Sequence, residues 1–347
     1  MKKTLAALIV TAFAASAANA AVVYDNEGTK VELNGSLRLI MEKADKKEYT
    51  AAGQSTKKAN SALRNAGSRF GITVKHNLDN DFYALGRLEF RFDDTTSRDK
   101  FGRLYAKRAY VGLGSKATGD ITFGRQLTIA DDLSQAVDYE YGFIPKSEYI
   151  PTAGTGVVRY DYKGIEGLQL SANYNFGQTN DEKGNPLKPG IKNAYAVGAL
   201  YTVGDLDARL AYGHTNFETG ASYAHRLDGV LASLGYKFGD FTLTGDFGYG
   251  HEKLDDAKVN KFYVSPGFAY QVVPASKVYG NYLYERAKGE SDKVKTHGFL
   301  LGADYKLHKQ VVLFVEGKYV TAKKYTNDAY DGKVKDRAIG VGMRVFF

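Results

Sequence analysis

Residues 82–92 read FYALGRLEFRF. Phe82, Ala84, Gly86, Leu88, Phe90 and Phe92 fall on one face of an extended strand, and Tyr83, Leu85, Arg87, Glu89 and Arg91 on the other, because strand side chains alternate with period two. The pattern recurs along the whole chain. Sixteen alternating segments stand at 31–42, 68–76, 81–92, 103–114, 120–126, 157–164, 168–176, 193–203, 205–217, 225–238, 240–252, 261–272, 277–288, 294–307, 310–323 and 334–347. Seven of the connections are tight and rich in Gly, Asp and Asn, such as 77–81 and 239–240, which suits short turns. Eight are longer and polar: 43–64, 93–102, 127–155, 178–192, 218–224, 253–260, 289–293 and 324–333. The two kinds alternate. A sandwich has no reason to send every long connection to one end, whereas an outer-membrane barrel has short turns on one side and long loops on the other. Closure also removes the edge strands whose backbone groups would go unpaired in lipid. The expected fold is all-β, a transmembrane antiparallel β-barrel of 16 strands, with both termini on the short-turn side.

Such a barrel turns the usual arrangement inside out. Phe82, Leu88, Phe90 and Phe92 then meet lipid or a neighbouring subunit, and Arg87, Glu89 and Arg91 line a watery lumen. The assignment of faces is fixed by cost, since a Lys or Arg at the bilayer midplane destabilises a barrel by roughly 2–4 kcal/mol. Mean hydropathy, −0.36, does not argue against a membrane protein of this kind, because only alternate residues touch lipid.

The first twenty residues, MKKTLAALIVTAFAASAANA, have a basic start, a short apolar run and a small-residue cleavage site at Ala18–Ala20. This is the layout of a secretory signal peptide, 1–20, and leaves one barrel domain at 21–347. Losing Lys2 and Lys3 leaves 45 basic against 39 acidic side chains, a net charge of +6. That balance could suggest nucleic acid, but an exported chain with dispersed lysines is not expected to bind it. There is no Cys, so no disulfide framework holds the chain.

Several stretches carry a resemblance: VELNGSLRL (31–39), SRFGITVK (68–75), RAYVGLGS (108–115), GDITFGRQ (119–126), RYDY (159–162) and the terminal GVGMRVFF (340–347). In this order they resemble the general, non-specific porins of Gram-negative outer membranes, most of all the OmpH-type major porins of the Pasteurellaceae. The resemblance implies an integral outer-membrane channel with extracellular loops and periplasmic termini. It implies a homotrimer set in outer-membrane lipid and lipopolysaccharide, passing ions and small hydrophilic solutes. It also implies a third long loop folded into the pore, with acids facing basic residues on the wall. That loop would be 127–155, whose acids are Asp131, Asp132, Asp138, Glu140 and Glu148. Glu140, in YEYGF, takes the role of inward acid, with Asp138 beside it; Asp131 and Asp132 could equally cap a helical turn. Parity supplies the facing bases: Arg38, Arg69, Arg87, Arg91 and Arg159 point inward, and Glu89 lines the pore with them. On 103–114 either Lys107 or Arg108 is luminal, and the resemblance slightly favours Lys107. Phe347, Val345 and Met343 continue an apolar face with Val341 and Ile339 and resemble the signal read by the outer-membrane assembly machinery. This last strand is expected to close the barrel near residues 30–40.

No nucleotide loop is present, and the six His show no metal-ligand spacing, so no cofactor, metal or catalytic site is expected. The alternatives are a substrate-specific porin guided by some of the 26 Tyr, or an adhesin or receptor role carried by loops 43–64 and 178–192.

Overall fold

The computed structural model describes residues 20–93, 102–219 and 224–347. The expected leader, apart from Ala20, lies outside the described residues, as does most of the 93–102 connection. In chain order the strands are β1 (Ala21–Asn26), β2 (Thr29–Thr50), β3 (Ser55–Asn65), β4 (Arg69–Asn77), β5 (Phe82–Asp93), β6 (Arg103–Ser115), β7 (Gly119–Leu127), β8 (Ala153–Ile165), β9 (Leu168–Asn175) and β10 (Gln178–Asn180). They continue with β11 (Pro186–Val203), β12 (Leu206–Phe217), β13 (His225–Phe238), β14 (Phe241–Leu254), β15 (Ala257–Val273), β16 (Ser276–Lys288), β17 (Asp292–His308), β18 (Val311–Thr326) and β19 (Ala329–Phe346). All pairings are antiparallel, and β19 pairs back onto β2, so the sheet is closed. β3 and β4 pair with successive parts of β2, and β9 and β10 with successive parts of β11. Each of these pairs is one stave of the wall, and β1 and β19 share the other edge of β2 as one more, which makes a 16-strand barrel.

Two expectations about boundaries need correction. The seam starts within residues 30–40 as expected but runs well beyond them: Phe346 faces Ser36 and the pairing climbs to Gly332 opposite Thr50. The edge of β2 below Ser36 is taken by β1, with Ala21 opposite Leu33. β1 and β2 join through Glu27 (φ 50°) and Gly28 (φ 75°), two positive-φ residues in a row, as a tight hairpin turn requires. The NEG turn signal was there in the sequence. Secondly, most of the polar stretches 43–64, 178–192, 253–260 and 324–333 are strand rather than loop. Strands of 16 to 22 residues such as β2, β11, β15 and β18 run well past the 9–11 residues that cross a bilayer. Apolar alternation stops where lipid stops, but the hydrogen-bond ladder does not.

The outer face is apolar as expected: Leu37, Met41, Leu88, Val111, Phe299, Leu301 and Ile339 are all exposed. The inner face carries the charged residues. The core stands against that inner face. Ile129, Ala130, Leu133, Tyr149 and Ile150, all from the β7–β8 connection, pack on Ala196, Ala211, Leu231, Tyr263 and Leu283. Close approach needs small wall residues there, and a Cβ on Gly229 would lie 2.2 Å from the Tyr149 carbonyl oxygen.

Candidate functional site

The β7–β8 connection is held by carboxylates of the inner wall. Glu316 on β18, fully buried, accepts the backbone N–H groups of Tyr139 (2.7 Å), Glu140 (2.9 Å) and Tyr141 (2.5 Å), and the Tyr279 hydroxyl (2.9 Å). Asp246 on β14 accepts from the Ser134 hydroxyl (2.9 Å) and from the N–H groups of Gln135 (3.0 Å) and Ala136 (3.3 Å). Asp304 on β17 accepts from the Tyr139 hydroxyl (2.6 Å), and Asn281 donates to the Val137 carbonyl (2.8 Å). These wall residues were not among the sequence candidates. Their signal was an inward-parity acid inside an otherwise apolar or glycine-rich strand, as in LFVEGKY.

The wall on β2 and β4–β6 carries the basic cluster. Glu89, 2 % exposed, is its hub: Arg91 Nε lies at 2.7 Å, Arg87 Nη2 at 2.9 Å, Arg108 Nε at 3.7 Å and Arg69 Nη1 at 3.8 Å. Arg38 donates to the Ser36 hydroxyl (2.7 Å) and lies within electrostatic reach of Arg69, Arg91 and Arg344. Arg344, on the last strand, stacks over Tyr139 at 4.7 Å and donates to its carbonyl. Neither Arg344 nor Arg64 was singled out from sequence. The choice between Lys107 and Arg108 dissolves in a β-bulge. Arg108 stands opposite Glu89 and Ala106 opposite Phe90, so Lys107 is the extra residue. Both side chains are only slightly exposed, Arg108 towards Glu89 and Lys107 paired with Glu182.

The acids of the connection divide by what they touch. Glu140 pairs with Arg64 at 2.6 Å, and Arg64 in turn forks onto Glu42. Asp132 is buried and accepts from Arg159 Nη2 at 2.8 Å, while Arg159 also grips Asp161. This pair joins the base of the connection to β8, so Arg159 and Asp132 face each other directly. Burial, ahead of the Arg159 charge, holds the Asp132 carboxyl above its ordinary range. A short 3-10 turn does open the connection at Ile129–Asp132, but Thr128 caps it, not either aspartate. The Asp131 carbonyl accepts from Lys146, and Glu148 is exposed near Glu285. Asp138 has an exposed edge, yet the surrounding protein and then the Glu316 carboxylate push its carboxyl up to about 6.

Phe347 is stitched to β2, donating to the Gly35 carbonyl (3.1 Å) and accepting from the Gly35 N–H (2.8 Å). Met343, Val341 and Ile339 are exposed on the outer face above it.

Comparison with known proteins gives one answer. A profile described as "Gram-negative porin" matches residues 4–325. The Major outer membrane protein of Pasteurella multocida strain Pm70 is 31 % identical over 377 residues, covering 100 % of both chains. Among solved structures, the in-vitro folded OmpT of Vibrio cholerae in its trimer form matches with TM-score 0.69 and 19 % identity, over 92 % of this chain and 100 % of that one. An anion-selective porin from Comamonas acidovorans matches with TM-score 0.66 and 18 % identity, over 92 % and 100 %. A closed barrel with an apolar exterior and a charged interior, matched almost throughout by that profile, belongs to the Gram-negative porin family and is an integral outer-membrane protein.

Proposed function

We propose that the protein is a general diffusion porin whose constriction lies between the arginine cluster and the β7–β8 connection, and that it favours anions. The observation that carries this is charge. Arg69, Arg87, Arg91 and Arg108 surround the carboxylate of Glu89, Arg38 and Arg344 adjoin that cluster, and the Nε atoms of Arg69, Arg87, Arg108 and Arg344 are buried without a hydrogen-bond partner. Guanidinium groups keep their charge whatever surrounds them, so a cluster with more cations than carboxylates leaves this wall net positive towards passing ions. The clamped connection supports a narrowed lumen, because its buried face is fixed to the wall by Glu316, Asp246 and Asp304. Asp138, and Glu140 within its Arg64 pair, supply the opposing charge.

The working unit is a homotrimer in this reading, as named for the Vibrio cholerae relative in fold. The leader 1–20 is removed on export, the long hairpins face outside, and the apolar face ending in Phe347 serves as the assembly signal. The protein moves solutes and catalyses nothing. The test is single-channel recording of refolded protein in a planar bilayer under a salt gradient. Ohmic steps arriving in threes with an anion-favouring reversal potential are expected. Arg69→Gln combined with Arg87→Gln shifts that potential towards cations. A folded, heat-modifiable protein that does not conduct overturns the reading, and block by one particular solute replaces it with a specific channel.

A further inference from the structure

The hairpin of β10 and β11 does not stay above its own stave. At its root Gln178 accepts from the Thr155 N–H (2.8 Å) and hydroxyl (3.2 Å) of β8. Its tip is a turn built on Asp181. That carboxylate accepts from the N–H groups of Lys183 (2.9 Å) and Asn185 (2.8 Å) and from the Asn185 side-chain amide (2.9 Å), and Gly184 takes the positive φ of 86° that closes the turn. The Glu182 side chain takes no part in those bonds. It reaches instead to β6, where it pairs with the Lys107 ammonium. Arg125 on β7 donates to the Glu182 carbonyl (2.9 Å). Since β8 and β7 stand between this stave and β6, the tip leans across about 14 Å of wall at the usual strand spacing.

It lands beside the constriction. Lys107 lies within electrostatic reach of Arg91, which belongs to the Glu89 cluster, and of Asp131 at the base of the β7–β8 connection. Lys107 is therefore one of the wall's cations, and the tip delivers a carboxylate to it. Seen from beyond a Debye length, such a pair is neutral. The tip is held on the wall by few bonds, in contrast to the β7–β8 connection with its Glu316, Asp246 and Asp304 anchors. It behaves as a tethered counter-ion, and the tether returns Glu182 to Lys107 at an effective concentration that dilute solutes do not match.

We propose that Glu182 is a specificity-determining residue of the channel: carried inward by the β10–β11 tip, it neutralises Lys107 and limits the anion preference of the arginine wall. This rests on the porin reading above. It gives the constriction a second inward segment, whose charge is set independently of Asp138 and Glu140.

Placement is tested on the unaltered protein. A water-soluble carbodiimide joins a carboxylate to an amine at contact distance, with loss of water, and peptide mass spectrometry reads the amide. Coupling of Glu182 to Lys107 is expected in the refolded barrel, alongside coupling of Asp336 to Lys318, a 2.7 Å pair between neighbouring wall strands that serves as the control. The control amide without the Glu182 amide overturns the proposal, whatever becomes of any variant. The role is tested by reversal potentials across a gradient near 0.1 M salt, where a charge is felt over about 10 Å. Glu182→Gln, which leaves the Asp181 turn intact, should raise the anion-to-cation permeability ratio about twofold, the size expected of one screened charge several ångströms from the ion path. Adding Lys107→Gln should return the ratio to its native value, because a neutral pair then replaces a neutral pair. An unchanged ratio in Glu182→Gln overturns the role, as does a double variant as anion-selective as Glu182→Gln alone. A native protein that does not conduct sinks the porin reading instead, and the coupled peptide still reports where the tip lies, so the two failures are distinct.

Discussion

Glu316→Gln isolates what holds the β7–β8 connection. In the native protein Oε1 accepts from the N–H groups of Glu140 and Tyr141, and Oε2 from the Tyr139 N–H and the Tyr279 hydroxyl. Glutamine keeps the shape and one acceptor oxygen but turns the other position into a donor. The Tyr279 hydroxyl can rotate away, whereas the Tyr139 N–H cannot. An orphaned buried donor costs about 1–3 kcal/mol, and the remaining bonds lose their charge assistance. A total of about 3 kcal/mol corresponds to roughly a hundredfold change in the local opening equilibrium. Hydrogen exchange at the Tyr139–Tyr141 amides should therefore accelerate by about that factor, with the barrel's own ladder unaffected. Single-channel current should become noisier and larger as the segment leaves the wall. Exchange at these three amides within about threefold of the native protein, in a folded variant, would refute the clamp and return the anchoring to the apolar contacts of Ile129, Leu133 and Ile150.

Further consequences concern charge and closure. Because Asp138 titrates near pH 6, it is mostly charged at pH 7 and mostly neutral at pH 5. Anion preference should thus rise as pH falls through 6, and Asp138→Asn should flatten that step in reversal-potential measurements. Arg159→Leu strands the buried Asp132 beside Asp161 and should destabilise the connection's base by about 3–5 kcal/mol, read as faster proteolysis between residues 128 and 152. Gly35→Leu drives a side chain into the Phe347 ring, which a Cβ alone would approach to 2.5 Å. The melting midpoint on heat-modifiability gels should fall, by an amount matching about 1–3 kcal/mol.

The wall was legible from sequence because lipid imposes a rule on every second residue. Arg38, Arg69, Arg87, Arg91 and Arg159 take the inward face that parity assigns them, and Leu37, Leu88 and Ile339 the outward one. Parity failed where the rule lapses. A bulge at Lys107 breaks the count of two, so a choice between neighbours had no right answer. Beyond the bilayer both faces are polar, so the upper halves of β2, β3, β11 and β18 read as loop although they remain paired. The hub of Glu89 and the clamp of Glu316 depend on which strands stand side by side and where the connection lies, and a linear pattern carries neither.

The continuous ladder above the bilayer also limits how this surface can vary. In a flexible loop, one inserted residue merely lengthens the tether. In the paired upper halves of β2 and β16–β19, one inserted residue slips the register and exchanges the two faces, sending Lys295, Lys323 or Lys333 into the lumen and their neighbours outward. Two residues leave the faces where they were. Changes of length in this rim are therefore tolerated in even steps along its staves, and in odd steps at the hairpin tips near residues 51–54, 255–256, 289–291 and 327–328 or where a bulge absorbs the extra residue, as one does Asp331 opposite Lys324 and Tyr325.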